Sequence, residues 1–213
     1  LKPTVRRRAD TRGIVRALRC ETIQLGASPP RQTTAGRLNL GCGTDVRAGY
    51  VNLDAASLPG VDVVHDLDVL PLPFEDGAFR EIVCQDVLEH VDLVGVLREC
   101  HRILVPGGVL SMRSPHFSSA AAHIDPTHRR AFSIETLDFF ASEGRFANRG
   151  YYFDFRFSRL ASARIAFHRY RWQPWNYLVE PLVNASPATQ RYYEGTCLAR
   201  LFPAANVEVV LVK

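Results

Sequence analysis

The stretch Leu38-Asn39-Leu40-Gly41-Cys42-Gly43-Thr44, followed closely by Tyr50-Val51-Asn52-Leu53-Asp54, decides how this chain folds. Each segment begins as a short apolar run and ends on residues suited to a ligand. The first delivers the chain to two glycines, which permit a tight turn and close approach of backbone to a bound group. The second ends on Asp54, and in doubly wound folds an acid at that place accepts hydrogen bonds from both ribose hydroxyls. Gly-x-Gly alone marks any strand-end turn; its pairing with Asp54 is what raises it. After Gly43 come Thr44, Asp45 and Val46, so the G-x-G-x-x-G pattern of pyrophosphate-binding turns is absent. The turn suits a nucleoside without phosphates.

Outward from this pair, strands are expected at Arg37 to Leu40, Tyr50 to Leu53, Val61 to His65, Glu81 to Cys84 and Val109 to Arg113. Between the last two, Leu93, Val96, Leu97, Cys100 and Leu104 recur at intervals of three and four, which predicts a helix ended by Pro106, Gly107 and Gly108. Apolar strands interleaved with helices predict an α/β fold, doubly wound, with a mostly parallel sheet and helices on both faces. The link between the first two strands is too short for a full crossover helix. Further on, Ser133 to Ala141 is expected to be helical with Ser133 as N-cap. A strand passes through Ile165 and Phe167, and Asn206 to Val212 is a convincing last strand. The division is a tail with a short helix over 1–36 and one domain over 37–213, with a lid or acceptor-binding insertion around 116–200.

With 213 residues the chain can bury one sizeable core, and its net charge of +4 is modest. Lys2, Arg6, Arg7 and Arg8 read as a solvated tail rather than a nucleic-acid arm. Since the chain opens on Leu1, residues upstream are expected to have been removed or not to have been resolved. Its five cysteines are widely spaced with no C-x-x-C pair, against both a disulfide framework and a thiolate zinc site. No apolar run reaches membrane-spanning length and no secretory leader is visible, so a cytoplasmic protein without membrane insertion is expected.

The third expected strand leads into Asp66-Leu67 and the fourth into Gln85-Asp86, at strand ends where such folds place ligands. Asp66 can face an adenine amino group while Leu67 covers the ring. Together LNLGCG at 38–43, VNLDA at 51–55, HDLDVLPLPFEDGAFREIVCQDVLEHV at 65–91 and LRECHRILVPGGVLSMRSP at 97–115 resemble the class I S-adenosylmethionine-dependent methyltransferases, specifically the type-11 group. The resemblance implies a Rossmann-like fold, a seven-stranded sheet with an antiparallel last strand, and S-adenosylmethionine as cofactor. It places Gly41, Cys42 and Gly43 along the methionine moiety, Asp54 on ribose, and Asp66 with Leu67 at adenine. Gln85 then lines the transfer site, flanked by Asp86 and His90. Asn39 stands where the family often has an acid, so contact with the donor's ammonium group is weaker or rerouted.

The loop after the fifth strand carries His116, His123, Asp125 and His128, suited to acid–base chemistry on an acceptor hydroxyl. His128 is the first choice as base, with Asp125 orienting a ring. Imidazole and carboxylate groups also ligate metals, but the spacing matches no standard signature and no metal is expected. The H…DPTH…FS pattern is similar to that of group members that modify polysaccharides and small natural products. Phe139, Phe140, Tyr151, Tyr152, Phe153, Trp172 and Trp175 supply a lid or acceptor pocket, whereas Phe155 and Phe157 read as core. The expected reaction is therefore methyl transfer to a small-molecule acceptor, at oxygen first and nitrogen second. RNA or protein methylation and a catalytically silent donor-binding protein are the competing readings. Nucleic acid is disfavoured as a partner, and self-association into a homo-oligomer is left open.

Overall fold

The computed structural model describes residues 36–213; the short helix expected in the tail lies outside them. Seven strands form one sheet: β1 Gly36–Leu40, β2 Val51–Asp54, β3 Val63–Val64, β4 Phe79–Gln85, β5 Leu104–Pro115, β6 Arg159–Ala166 and β7 Asn206–Val212. Their order is β3-β2-β1-β4-β5-β7-β6. β7 runs antiparallel to both β5 and β6, while the pairs among β1 to β5 are parallel. This is the mostly parallel sheet flanked by helices, with an antiparallel last strand, that the sequence predicts.

The helices are α1 Leu93–Ile103, α2 Ala121–Ile124, α3 Asn176–Val183, α4 Pro187–Glu194 and α5 Leu198–Leu201, with 3-10 turns at Thr136–Phe140 and Ala147–Tyr152. In α1 the Asp92 carboxylate caps the first turn by accepting from the Gly95 amide at 3.2 Å. Its face of Leu93, Val96, Leu97, Cys100 and Ile103 is buried together with Leu38, Leu40, Ile82, Cys84, Leu110 and Met112 in a core cluster. Burying each such side chain contributes roughly 1.5–3 kcal/mol. Glu99 lies on the buried face as well, held by Arg102 at 2.7 Å and by the Leu72 amide at 2.8 Å. Arg102 also donates to the carbonyls of Leu72 and Phe74, so one ion pair ties α1 to the loop before β4.

Several boundaries differ from expectation. Leu104 ends the helical period but begins β5, and Pro106 to Gly108 lie inside that strand where its register against β4 shifts. The third strand shrinks to two residues, because Asp62 turns its carboxylate back onto the Asn52 amide at 2.8 Å. The Ser133 to Ala141 segment forms a 3-10 turn over Thr136–Phe140, with Ser133 Oγ accepting from the Glu135 amide at 3.3 Å. The insertion splits its aromatics: Phe140, Phe155 and Phe157 are buried, whereas Tyr151, Tyr152, Trp172 and Trp175 are exposed. No helix among the described residues is long and apolar enough to cross a membrane.

Candidate functional site

Strand order reverses between β1 and β4, and ligands in open α/β sheets bind outside the carboxyl ends of strands at such a reversal. A cleft of about 470 Å³ opens there, lined by Asn39, Gly41, Cys42, Gly43, Gln85 and Asp86 together with Thr44, Asp45 and Arg113.

Backbone geometry explains the glycines. Gly41 has φ +67° and Gly43 φ +49°, the left-handed region that side chains disfavour. A β-carbon on Gly41 would stand 2.4 Å from Val87 Cγ2, so the close approach is to the turn after β4. One on Gly43 would meet no protein atom within 4 Å, leaving space beside the cleft for a ligand. The Gly43 amide donates to Asp54 Oδ2 at 2.7 Å, and the Ala56 amide to Asp54 Oδ1 at 2.9 Å. Asp54 thereby anchors the turn while each carboxylate oxygen keeps a further lone pair.

Asn39 is buried and its side-chain amide is already engaged. Nδ2 donates to the Asp45 carbonyl at 2.7 Å and to Asn52 Oδ1 at 3.1 Å. Asn52 Oδ1 in turn accepts from the Arg47 amide at 2.8 Å. The two asparagines hold up the loop between β1 and β2. Cys42 is buried, and burial, reinforced by the Asp54 charge, pushes its thiol pKa up.

Arg113, which sequence reasoning missed, faces Asp86 across the cleft. Its Nε donates to Asp86 Oδ1 at 3.3 Å and its Nη2 also pairs with that carboxylate. Asp86 itself sits at φ +56° with its amide on the Arg113 carbonyl at 2.8 Å, which turns the side chain toward β5. The pairing Gln85↔Arg113 in the β4–β5 register foreshadows this contact, but register is not visible in one sequence.

The remaining candidates sit elsewhere. Asp66 is exposed and caps its own turn through the Asp68 amide at 3.0 Å, while Leu67 is buried in the core cluster. Neither lines the cleft. His116 is fully buried: Nε2 donates to Glu194 Oε1 at 3.0 Å and Nδ1 accepts from the Ser118 amide at 3.1 Å. Glu194 also accepts from Ser133 Oγ and the Ile134 amide, both at 2.8 Å, so it joins the loop to α4. His123 Nε2 donates to the Phe117 carbonyl at 3.0 Å from an exposed position.

His90 and His128 come together, ring centroids 4.6 Å apart and edge to face. The Arg129 amide donating to the Glu89 carbonyl at 2.7 Å brings their two segments into register. Asp125 sits behind them, accepting from Thr127 Oγ1 at 2.6 Å, and that hydroxyl with the Thr127 amide lowers the carboxyl's pKa. Glu89 is buried beside them, and desolvation raises its carboxyl pKa.

A family model described as a methyltransferase domain matches residues 39–112. Among solved structures, a SAM-dependent methyltransferase from Archaeoglobus fulgidus superposes with a TM-score of 0.54 at 15% identity, covering 85% of this chain and 87% of that one. A Thermotoga maritima SAM-dependent methyltransferase, described as a possible histamine N-methyltransferase, gives 0.52 at 16% identity, with 84% and 83% covered. The cyclase SpnF gives 0.50 at 17% identity, with 84% and 74% covered. No curated protein sequence matches the chain. The chain thus has the Rossmann-like fold of the SAM-dependent methyltransferases. A cyclase on the same fold shows why chemistry must be argued from the site.

Proposed function

We propose that this protein is an S-adenosylmethionine-dependent methyltransferase acting on a small molecule, at an oxygen of a sugar or natural product. The observation that carries this reading is the Gly43–Asp54 link at the mouth of a phosphate-free turn, with open space beside Gly43. S-adenosylmethionine supplies a methyl group on a positively charged sulfur.

Asp54 offers its free lone pairs to the ribose hydroxyls, and Gly41, Cys42 and Gly43 border the amino-acid portion. The Asp86–Arg113 pair is matched to a zwitterion: the carboxylate can take an ammonium group and the guanidinium a carboxylate. Asn39 contributes by shaping the loop. Asp66 and Leu67 remain the candidates for the adenine end, and Gln85 for the transfer end. Of the acceptor-side histidines, His128 stays the first choice for proton handling, because His116 is buried with both ring nitrogens engaged while His128 packs against His90 with its Nδ1 on a carbonyl and its Nε2 left for chemistry. The free cysteines among the described residues suit a reducing, cytoplasmic compartment.

Calorimetric titration with S-adenosylhomocysteine should give one saturable site. Mass spectrometry should then find a methylated product among hydroxyl-bearing and amine-bearing acceptors offered with the donor. Absence of S-adenosylhomocysteine binding to folded protein would sink the reading.

A further inference from the structure

Glu89, His90 and His128 form a cluster that the donor cleft does not use. One ligand-capable atom from each lies within 4.8 Å of the others. Glu89 is 1% exposed; its Oε2 accepts from Ser114 Oγ at 2.8 Å, but its Oε1 has no hydrogen-bond partner. A bare buried carboxylate oxygen is costly unless something outside the chain satisfies it.

Partner chemistry fixes both imidazoles. The Ala122 carbonyl can only accept, so His128 Nδ1 carries the proton in that 3.2 Å contact. Thr127 Oγ1 spends its own proton on Asp125, so it accepts from His90 Nδ1 at 2.8 Å. In the neutral rings both Nε2 atoms keep their lone pairs. Each histidine is thus held from behind by an acceptor, the support that orients metal-binding imidazoles.

We propose that Glu89 Oε1, His90 Nε2 and His128 Nε2 bind a divalent first-row transition-metal ion of the zinc type, with a coordination position left open. Two imidazoles and one carboxylate suit such an ion better than calcium or magnesium, which prefer all-oxygen shells. Bonds of about 2.0–2.2 Å place ligand atoms roughly 3–3.5 Å apart, so binding draws the three side chains inward from their present spacing. Sequence spacing hides the site because its ligands come from two separate segments, joined through the Arg129 amide on the Glu89 carbonyl and through His90 on Thr127. The cluster lies beyond the carboxyl ends of β4 and β5, where Glu89 meets Ser114. If methyl transfer is the reaction, the open position would lower the pKa of an acceptor hydroxyl. That role rests on the methyltransferase reading, whereas metal binding does not.

The chelator-stripped full chain is titrated with zinc by calorimetry and with cobalt(II) by visible absorption. Saturable one-to-one binding with cobalt d–d bands is expected. Glu89→Gln and His128→Gln should each lower affinity by at least about tenfold, the smallest effect of losing merely a supporting partner. His168→Gln, at an exposed histidine elsewhere, should bind as wild type. Circular dichroism checks the fold of each variant. Zinc protection of His90 and His128 from carbethoxylation, read by peptide mass, needs no substitution at all. Lack of saturable binding, lack of that protection, or binding that survives both cluster substitutions in folded protein overturns the site. None of these readouts involves the donor, so the titration with S-adenosylhomocysteine judges the methyltransferase reading separately.

Discussion

Asp54 Oδ2 accepts the Gly43 amide at 2.7 Å, which joins the end of β2 to the turn after β1. The contact makes one carboxylate both a brace for the turn and a ligand group beside it. Asp54→Ala is expected to weaken S-adenosylhomocysteine binding by roughly 1–3 kcal/mol, through lost ribose contacts and a loosened Gly43. Asp54→Asn should lose less, because its side-chain oxygen can still accept the Gly43 amide. Calorimetry on folded variants decides, and unchanged affinity in Asp54→Ala rejects the ribose role.

The two glycines should fail differently. Gly41→Ala drives a β-carbon into Val87, so part of its loss of stability should be recovered in the Gly41→Ala, Val87→Ala double variant. Gly43→Ala meets no protein atom, leaving only the left-handed backbone penalty of roughly 1–2 kcal/mol. It should nonetheless impair donor binding, since the added carbon faces the space beside the cleft. Urea unfolding with parallel donor titrations separates the two effects; equal rescue of both variants by Val87→Ala would refute the distinction.

Asn39→Asp, a change of one side-chain atom, should harm this protein. The Asn39 amide nitrogen donates to the Asp45 carbonyl and to Asn52 Oδ1, and a carboxylate there would face two acceptors. A loss of about 1–3 kcal/mol is expected, the cost of leaving buried polar groups unsatisfied. Wild-type stability in this variant at neutral pH would show that the asparagine pair does not support the loop.

The contrast between Asn39 and Glu99 shows what the sequence could reveal. The strands around Leu40, Leu53, Cys84, Met112 and Val209 were legible because short apolar runs must be buried somewhere. The glycine turn was legible because its conformation demands glycine. Arg113 on Asp86, His116 on Glu194 and Glu99 with Arg102 and the Leu72 amide were not, because each depends on register or on distant segments meeting. The expected helix after Ser133 became a 3-10 turn since its ends are fixed by Glu194 and Phe157, not by its own periodicity.

Glu99 gives a pH test. Arg102 beside it holds the carboxyl below its ordinary value of 4.5, against the opposing pull of burial. A depressed folded-state pKa contributes stability that is fully present above about pH 4.5 and is lost as pH falls through the folded value. Glu99→Gln should therefore cost stability at neutral pH, roughly 1–3 kcal/mol, since Arg102 loses one charged partner but keeps Asp76 at 2.7 Å. It should also flatten the decline of stability below pH 4.5 that this carboxyl causes. Urea midpoints across pH for both proteins provide the check, and parallel curves would refute the assignment.

His128 stands where two roles meet, and substitution can part them. As a proton acceptor for a hydroxyl, its loss in His128→Asn should lower methyl transfer at saturating substrate by roughly 10²–10⁴-fold. As a metal ligand beside Glu89 and His90, its loss should lower turnover as well, through a poorly held ion. Donor affinity should stay near wild type in either case, because His128 does not line the donor cleft. Excess zinc or cobalt distinguishes the roles: added metal refills a weakened site and restores part of the rate, but it cannot replace a missing base. The metal reading also predicts that chelation lowers wild-type turnover and spares donor binding. Single-turnover rates with an identified acceptor keep the chemical step apart from product release. An unchanged rate in His128→Asn across the working pH range would remove His128 from the chemistry, while leaving the Gly43–Asp54 argument for donor binding standing.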